Sequence, residues 1–213
     1  LCETTGARLH LAHVSTARSV ELVAEAKSRG LPVTCEVTPS HLFLTEEAVF
    51  GRGEEPAYDT AAKINPPLRT EADRRALLRA LNEGVIDAIA TDHAPHAQED
   101  KLCEFDDAAF GISCIETALA TVTTLVERGE LELGAAIRAL TSGPAGVFPF
   151  PPDLGSLKTG ARDITVIDPA HRWTVDPRRF ASKGRNTPLG GITLSGAVRA
   201  VVFDGTVAYE MEP

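Results

Sequence analysis

Asp92, His93 and His96 lie within one short run, Thr91-Asp92-His93-Ala94-Pro95-His96. A carboxylate beside two imidazoles supplies either hard oxygen and nitrogen ligands for a cation or a proton-transfer pair. The same residues also suit a plain turn, with Asp92 capping backbone N–H groups and Pro95 blocking a helix. The preceding Val85–Ala90 is short and mostly apolar, and follows Gly84. It reads as a buried strand of a parallel sheet. Asp92 then stands at the carboxyl end of a strand, where α/β barrels carry their catalytic groups. His13 stands at the end of a second expected strand, Arg8–Val14. A lone strand histidine is commonly a satisfied core residue. Strand ends that converge on one axis would instead make His13 and Asp92 face one cavity, a pair suited to Zn²⁺.

Other candidates carry weaker signals. Asn65 precedes Pro66-Pro67, so it reads equally as a turn former or as an amide held stiffly toward a polar substrate. His41 follows Pro39-Ser40 and reads as a packing residue or a support behind the ligands. Phe110-Gly111 closes an acidic loop, where a backbone N–H could meet a ligand. His171, near Trp173, reads as structural. Lys183-Gly184-Arg185-Asn186-Thr187-Pro188 is basic and turn-rich and reads as a surface loop.

The elements that must position these groups alternate. Ser15 or Thr16 can cap a helix running to Arg29, with Gly30 as its stop. Val20, Val23, Ala24 and Lys27 share one face of that helix. Val33–Val37 is β-branched and reads as the next strand, giving a right-handed strand–helix–strand unit. Gly51–Asp59 reads as a surface loop. Thr70 caps a helix over Glu71–Asn82, and Ala97–Phe110 is an acidic loop long enough to cover a site. Helices are expected over Ile115–Glu127, Leu133–Leu140 and Thr141–Phe148. Beyond the prolines at 149, 151 and 152 come strand candidates Ile164–Ile167, Ala197–Phe203 and Val207–Tyr209. The expected division is therefore 1–150, α/β, and 151–213, a small β unit.

The chain has 213 residues, a net charge of -9 and 43% hydrophobic residues. It can bury a sizeable core, and its acidity disfavours a nucleic-acid partner. No apolar run of membrane-spanning length occurs in the sequence, and no membrane partner is expected. Cys2, Cys35, Cys103 and Cys114 lack Cys-x-x-Cys spacing, which suits free thiols in a reducing cytoplasm. The chain opens at Leu1 without Met, inside what reads as a helix end, so a fragment is expected.

Four ordered motifs together resemble the bacterial dihydroorotases, of the metal-dependent cyclic amidohydrolases: His13-Val14-Ser15-Thr16, Thr38-Pro39-Ser40-His41-Leu42, Asn65-Pro66-Pro67-Leu68-Arg69 and Thr91-Asp92-His93-Ala94-Pro95-His96. Gly155-x-Leu157-x-x-Gly160 and Asn186-Thr187-Pro188 resemble the family's closing β strands. The resemblance implies the carboxyl-terminal part of a TIM-type (β/α)8 barrel plus strands of a small β-sandwich. It implies two zinc ions per full-length active site, with His13 ligating one and Asp92 ligating the other and acting as acid/base. Asn65, His96 and the Phe110-Gly111 backbone would bind dihydroorotate or its open form, carbamoyl aspartate. Partners implied are that small substrate and, beside it, a second copy or an aspartate transcarbamoylase. The family's His-x-His pair, its bridging carboxylate or modified lysine, a further His ligand and the arginine that grips the substrate carboxylate have no counterpart here. A chain with these two ligands alone is expected to be inactive by itself. The alternatives are an allantoinase or hydantoinase, or a non-catalytic scaffold of aspartate transcarbamoylase. Asn65 before Pro-Pro and His96 after Asp-His-Ala-Pro favour dihydroorotase, and retention of His13 and Asp92 argues against the scaffold.

Overall fold

The computed structural model describes residues 2–53, 58–148, 150 and 154–212. Part of the expected loop at 51–59 and the prolines at 149, 151 and 152 lie outside the described residues. After a short helix α1 (Cys2–Thr5), strands β1 (Leu9–Leu11), β2 (Val33–Val37) and β3 (Ala88–Ile89) form a parallel sheet in the order β1-β2-β3. Parallel neighbours need a crossover. Helix α2 (Ala17–Ser28) supplies the first, and α3 (Pro39–Phe43) with α4 (Glu71–Asn82) supplies the second. Thr16 is the residue that caps α2, accepting from the Ser19 N–H at 3.1 Å, and Thr70 caps α4 in the same way. Both match the preference for hydroxyl side chains that satisfy the free N–H groups of a first helical turn.

Alternation along β2 decides which side is core. Val33, Cys35 and Val37 are buried against Val20 and Val23 of α2 and Leu77, Leu78 and Leu81 of α4. Thr34 and Glu36 point to the other face, where His10 of β1 bridges them with Nδ1 at 2.8 Å from Thr34 Oγ1 and Nε2 at 3.1 Å from Glu36. Lys27, expected on an apolar helix face, instead reaches across to Asp87 at 2.7 Å and to the Val85 carbonyl. Asp87 also accepts the Cys35 N–H, so one carboxylate ties helix to sheet.

The strands are shorter than expected. β1 ends at Leu11 rather than Val14, because His13 takes a left-handed backbone (φ 40°) that no strand accommodates. β3 spans two residues, although Asp87 and Ala90 still donate to the carbonyls of Cys35 and Val37. Asp92 then turns left-handed at φ 49°. Helices α5 (Ala118–Glu127), α6 (Leu133–Leu140) and α7 (Ser142–Val147) follow. α5 begins later than the expected Ile115, because the N–H groups of Cys114 and Ile115 are donated to His93 and Thr117 N–H to Cys114 O.

A second, antiparallel sheet comprises β4 (Ile164–Thr174), β5 (Thr193–Phe203) and β6 (Thr206–Glu210), in that order. β4 and β5 are much longer than the expected strands. Pro169 cannot donate to the ladder and would ordinarily break a strand, but here it falls within a register shift between Asp168 and Arg172. The sheet packs on α5: Ser195 N–H donates to Thr124 Oγ1 at 2.9 Å, and Ala120 is buried with Leu194, Val175 and Leu189. Neither Gly155–Gly160 nor Asn186–Pro188 forms a strand. The first precedes β4, and the second lies in the connection from β4 to β5.

Candidate active site

The ends of the parallel strands bring three predicted groups together. His41 lies on α3, directly after β2, and burial pushes its imidazole below the ordinary value. The His41 Nε2 faces the Pro66 carbonyl at 2.9 Å and its Nδ1 faces Thr38 Oγ1 at 2.8 Å. A carbonyl can only accept, so the neutral ring carries its proton on Nε2. His13 and Asp92 both act electrostatically on His41, the first lowering and the second raising its pKa. The three side chains therefore share one neighbourhood. His41 Nε2 thus also holds the carbonyl of Pro66, the residue that follows Asn65 in the chain.

His13 Nδ1 is buried and has no hydrogen-bond partner among the described residues. A buried ring nitrogen without a donor to accept from is costly in a protein interior. Asp92 and Asn65 are exposed, and no hydrogen bond to either side chain occurs among the described residues. Burial, with Asp92 adding to it, pushes the Cys114 thiol up to about 12, and Cys114 donates to the Thr91 carbonyl at 2.8 Å. That thiol supports the loop and is no nucleophile.

The other predicted groups form a second edge with its hydrogen bonds made. His93 Nδ1 accepts the N–H groups of Cys114 and Ile115 at 3.1 and 3.2 Å, leaving Nε2 toward Ser182 Oγ at 3.3 Å. His96 Nε2 donates to the Phe110 carbonyl at 2.8 Å, which joins the two predicted ring-binding segments. The Gly111 N–H, expected to be free for a ligand, donates to the Lys63 carbonyl at 2.9 Å. The Phe110 N–H, by contrast, has no hydrogen-bond partner among the described residues. Gly111 itself is demanded by close approach, since a Cβ there would lie 2.4 Å from Ala94 Cβ.

Two lysines hold the acidic loop. Lys63 is buried, donates to the carbonyls of Phe105 and Asp106, and sits 4.5 Å from the centre of the Phe110 ring. Lys101 donates to the carbonyls of Thr60 and Ala109, and burial lowers its pKa. Composition suggested an acidic loop long enough to cover a site, and no pattern in it marked either lysine.

The segment 183–188 is a correction to the sequence reading. Gly184, Asn186 and Thr187 are buried, because Asn186 is inserted among backbone groups of His96, Ala94 and Gly111. His171 remains in β4, away from these groups in the chain order.

The chain matches the Amidohydrolase family over residues 3–208, and it belongs to that family. It is 51% identical over 211 residues, 99% of its length, to the dihydroorotase of Anaeromyxobacter dehalogenans, covering 47% of that protein. It is 50% identical to the dihydroorotase of Pelotomaculum thermopropionicum, covering 99% of this chain and 48% of that one. The chain thus spans about half the length of the curated relatives it matches. Among solved structures it resembles the L-hydantoinase of Arthrobacter aurescens with a TM-score of 0.89 and 29% identity, over 99% of this chain and 47% of that one. The D-hydantoinase of Thermus sp. gives 0.88 and 28% identity, over 98% and 46%. The fold is of the amidohydrolase α/β type.

Proposed function

We propose that the whole protein to which this chain contributes is a dihydroorotase, interconverting N-carbamoyl-L-aspartate and L-dihydroorotate. The observation that carries this reading is the pairing of an exposed Asp92 with a buried His13 nitrogen, both without a hydrogen-bond partner among the described residues and both on left-handed backbone, after the two strands that flank β2. Strained backbone of this kind persists where the surroundings enforce it, and it gathers at functional sites. Dihydroorotase, rather than hydantoinase, follows from the relatives: the likeness to proteins named dihydroorotase reaches 51% identity, against 29% for the hydantoinase structure. The parallel sheet is read as part of a (β/α)8 barrel, with residues 1–150 as barrel units and 151–213 as a small β-sandwich unit.

His13 and Asp92 fit zinc as a partial donor set, one nitrogen and one carboxylate. Among the described residues no group of three or more His, Cys, Asp or Glu could hold a metal ion, so the two would act with ligands from elsewhere. Zinc bound there would polarise the ring amide carbonyl and favour ionisation of water. Asp92 would take the proton of the attacking water and hand it to the departing ring nitrogen, first as general base and then as general acid. Ring closure runs the same transfers in reverse. Asn65 would offer its free amide to the substrate, and His96 with the Phe110-Gly111 backbone would form the ring-binding edge. A reducing, cytoplasmic setting suits the four free thiols. No helix among the described residues is long and apolar enough to cross a membrane.

The test is zinc content and dihydroorotate turnover, measured on the purified 213-residue chain and on the whole protein. We expect little zinc and no turnover for the chain, and zinc with turnover for the whole protein. A zinc-loaded whole protein that hydrolyses hydantoin but not dihydroorotate would favour the alternative. An empty, inactive protein that co-purifies with a transcarbamoylase would favour a scaffold.

A further inference from the structure

Asn186 lies in the connection between β4 and β5, far in sequence from the strand ends, yet its amide is surrounded by them. Its Oδ1 accepts the His96 N–H at 2.9 Å and the Ser113 hydroxyl at 2.8 Å. Its Nδ2 donates to the carbonyls of Ala94 and Gly111, each at 3.0 Å. A primary amide has two donor hydrogens and two acceptor lone pairs, and all four are used. The orientation is forced, since a backbone N–H can face only the oxygen and a carbonyl can face only the nitrogen. The Asn186 carbonyl adds a fifth tie, accepting the Ser113 N–H at 2.8 Å. The segment leading to this amide is pressed close to its surroundings. A Cβ on Gly184 would lie 2.5 Å from Pro95 Cβ, and Glu116 accepts the N–H groups of Ala181 and Ser182.

We propose that Asn186 is a positioning residue for the amidohydrolase reaction, setting the spacing between His96 and the Phe110-Gly111 backbone so that the two close on one substrate ring. The proposal rests on the reading of those groups as the ring-binding edge. The His96–Phe110 hydrogen bond alone joins two loops through a side chain that can rotate. The amide joins the same loops through backbone groups, which cannot. No isostere replaces it: a carboxylate at 186 would face the carbonyls of Ala94 and Gly111 without a proton to donate, and a methyl would leave all four partners unpaired.

The experiment compares N186D, N186A and the exposed-site control R185A in the zinc-loaded whole protein. We expect KM for dihydroorotate to rise about tenfold or more in both Asn186 variants, with kcat and zinc content changed far less. Amide exchange at His96 should accelerate in N186A, which removes the acceptor of that N–H, while R185A matches the parent. KM unchanged despite faster exchange overturns the positioning role, as does a joint fall of kcat, zinc content and melting temperature with KM constant. Unaltered exchange overturns it too. If the unsubstituted protein turns over no cyclic amide, the functional reading fails and the positioning role fails with it. Exchange then still reports whether the clamp itself exists.

Discussion

Asp92 and His96 stand on one short segment, and the fold treats them in opposite ways. Around Asp92 and His13 the backbone is left-handed, one ring nitrogen is buried without a partner, and the carboxylate is open. Around His96 the ring, its backbone N–H and the neighbouring Ala94 carbonyl are all bonded within the chain. The first edge keeps its bonding capacity for something that enters. The second spends its capacity on holding shape, which suits a surface that must be in place before a ligand arrives. A reaction site needs both, because groups that move protons must be unsatisfied and groups that orient must not move.

The comparison is broken most directly at Asp92. D92N should lower turnover of dihydroorotate by about 10²- to 10⁴-fold while leaving the melting temperature near that of the parent, because the side chain is exposed and unbonded. Steady-state kinetics beside thermal melts check it, and substantial residual turnover would remove Asp92 from the proposed role. Substitution beneath both edges should act differently. Leu81 is 1% exposed in the core shared by α2, α4 and the sheet, so L81A should cost about 2–5 kcal/mol of stability in urea titrations. Activity per folded molecule should stay close to normal. G111A strikes only the bonded edge: φ is +140° and the added methyl meets Ala94. It should cost about 1–3 kcal/mol and raise KM more than it lowers kcat.

The smallest effect is expected on α4, remote from both edges. Arg74 hydrogen-bonds Glu71 and holds its carboxyl down at about 2, with Arg75 helping. A carboxylate with a depressed folded pKa stabilises the fold above its unfolded pKa, and that contribution disappears as pH falls from about 4.5 toward 2. Urea midpoints between pH 5 and 3 should therefore fall less in E71Q than in the parent. The difference should stay below about 1 kcal/mol, because the Glu71 side chain is 43% exposed. A larger difference would mean that this cluster supports the strand ends after all.

What could be read from the chain follows from local chemistry. The helix caps at Thr16 and Thr70, the buried alternation of Val33, Cys35 and Val37, and the turn at Asn65-Pro66 depend on neighbours a few residues away. The motifs carrying His13, His41, Asn65, Asp92 and His96 could be read through their resemblance to a family, because each is a short run whose residues are adjacent in the chain. Pairings across long stretches of chain were not legible. The buried lysines 63 and 101 carried no signal in the chain, since their partners are carbonyls, and a carbonyl has no signature in a sequence. Asn186 looked like part of a basic loop, although its Asn-Thr-Pro motif gave one hint through resemblance. The strands β4 and β5 ran past Pro169 because a register shift placed the proline where no donor was needed. Side-chain types and their local spacing thus determined where the helix caps fall and the order in which strands and helices follow one another, but not how long each strand runs. Tertiary structure alone decided which of those groups stay unsatisfied and which are clamped, because a hydrogen bond's worth depends on what the fold brings within 3 Å of it.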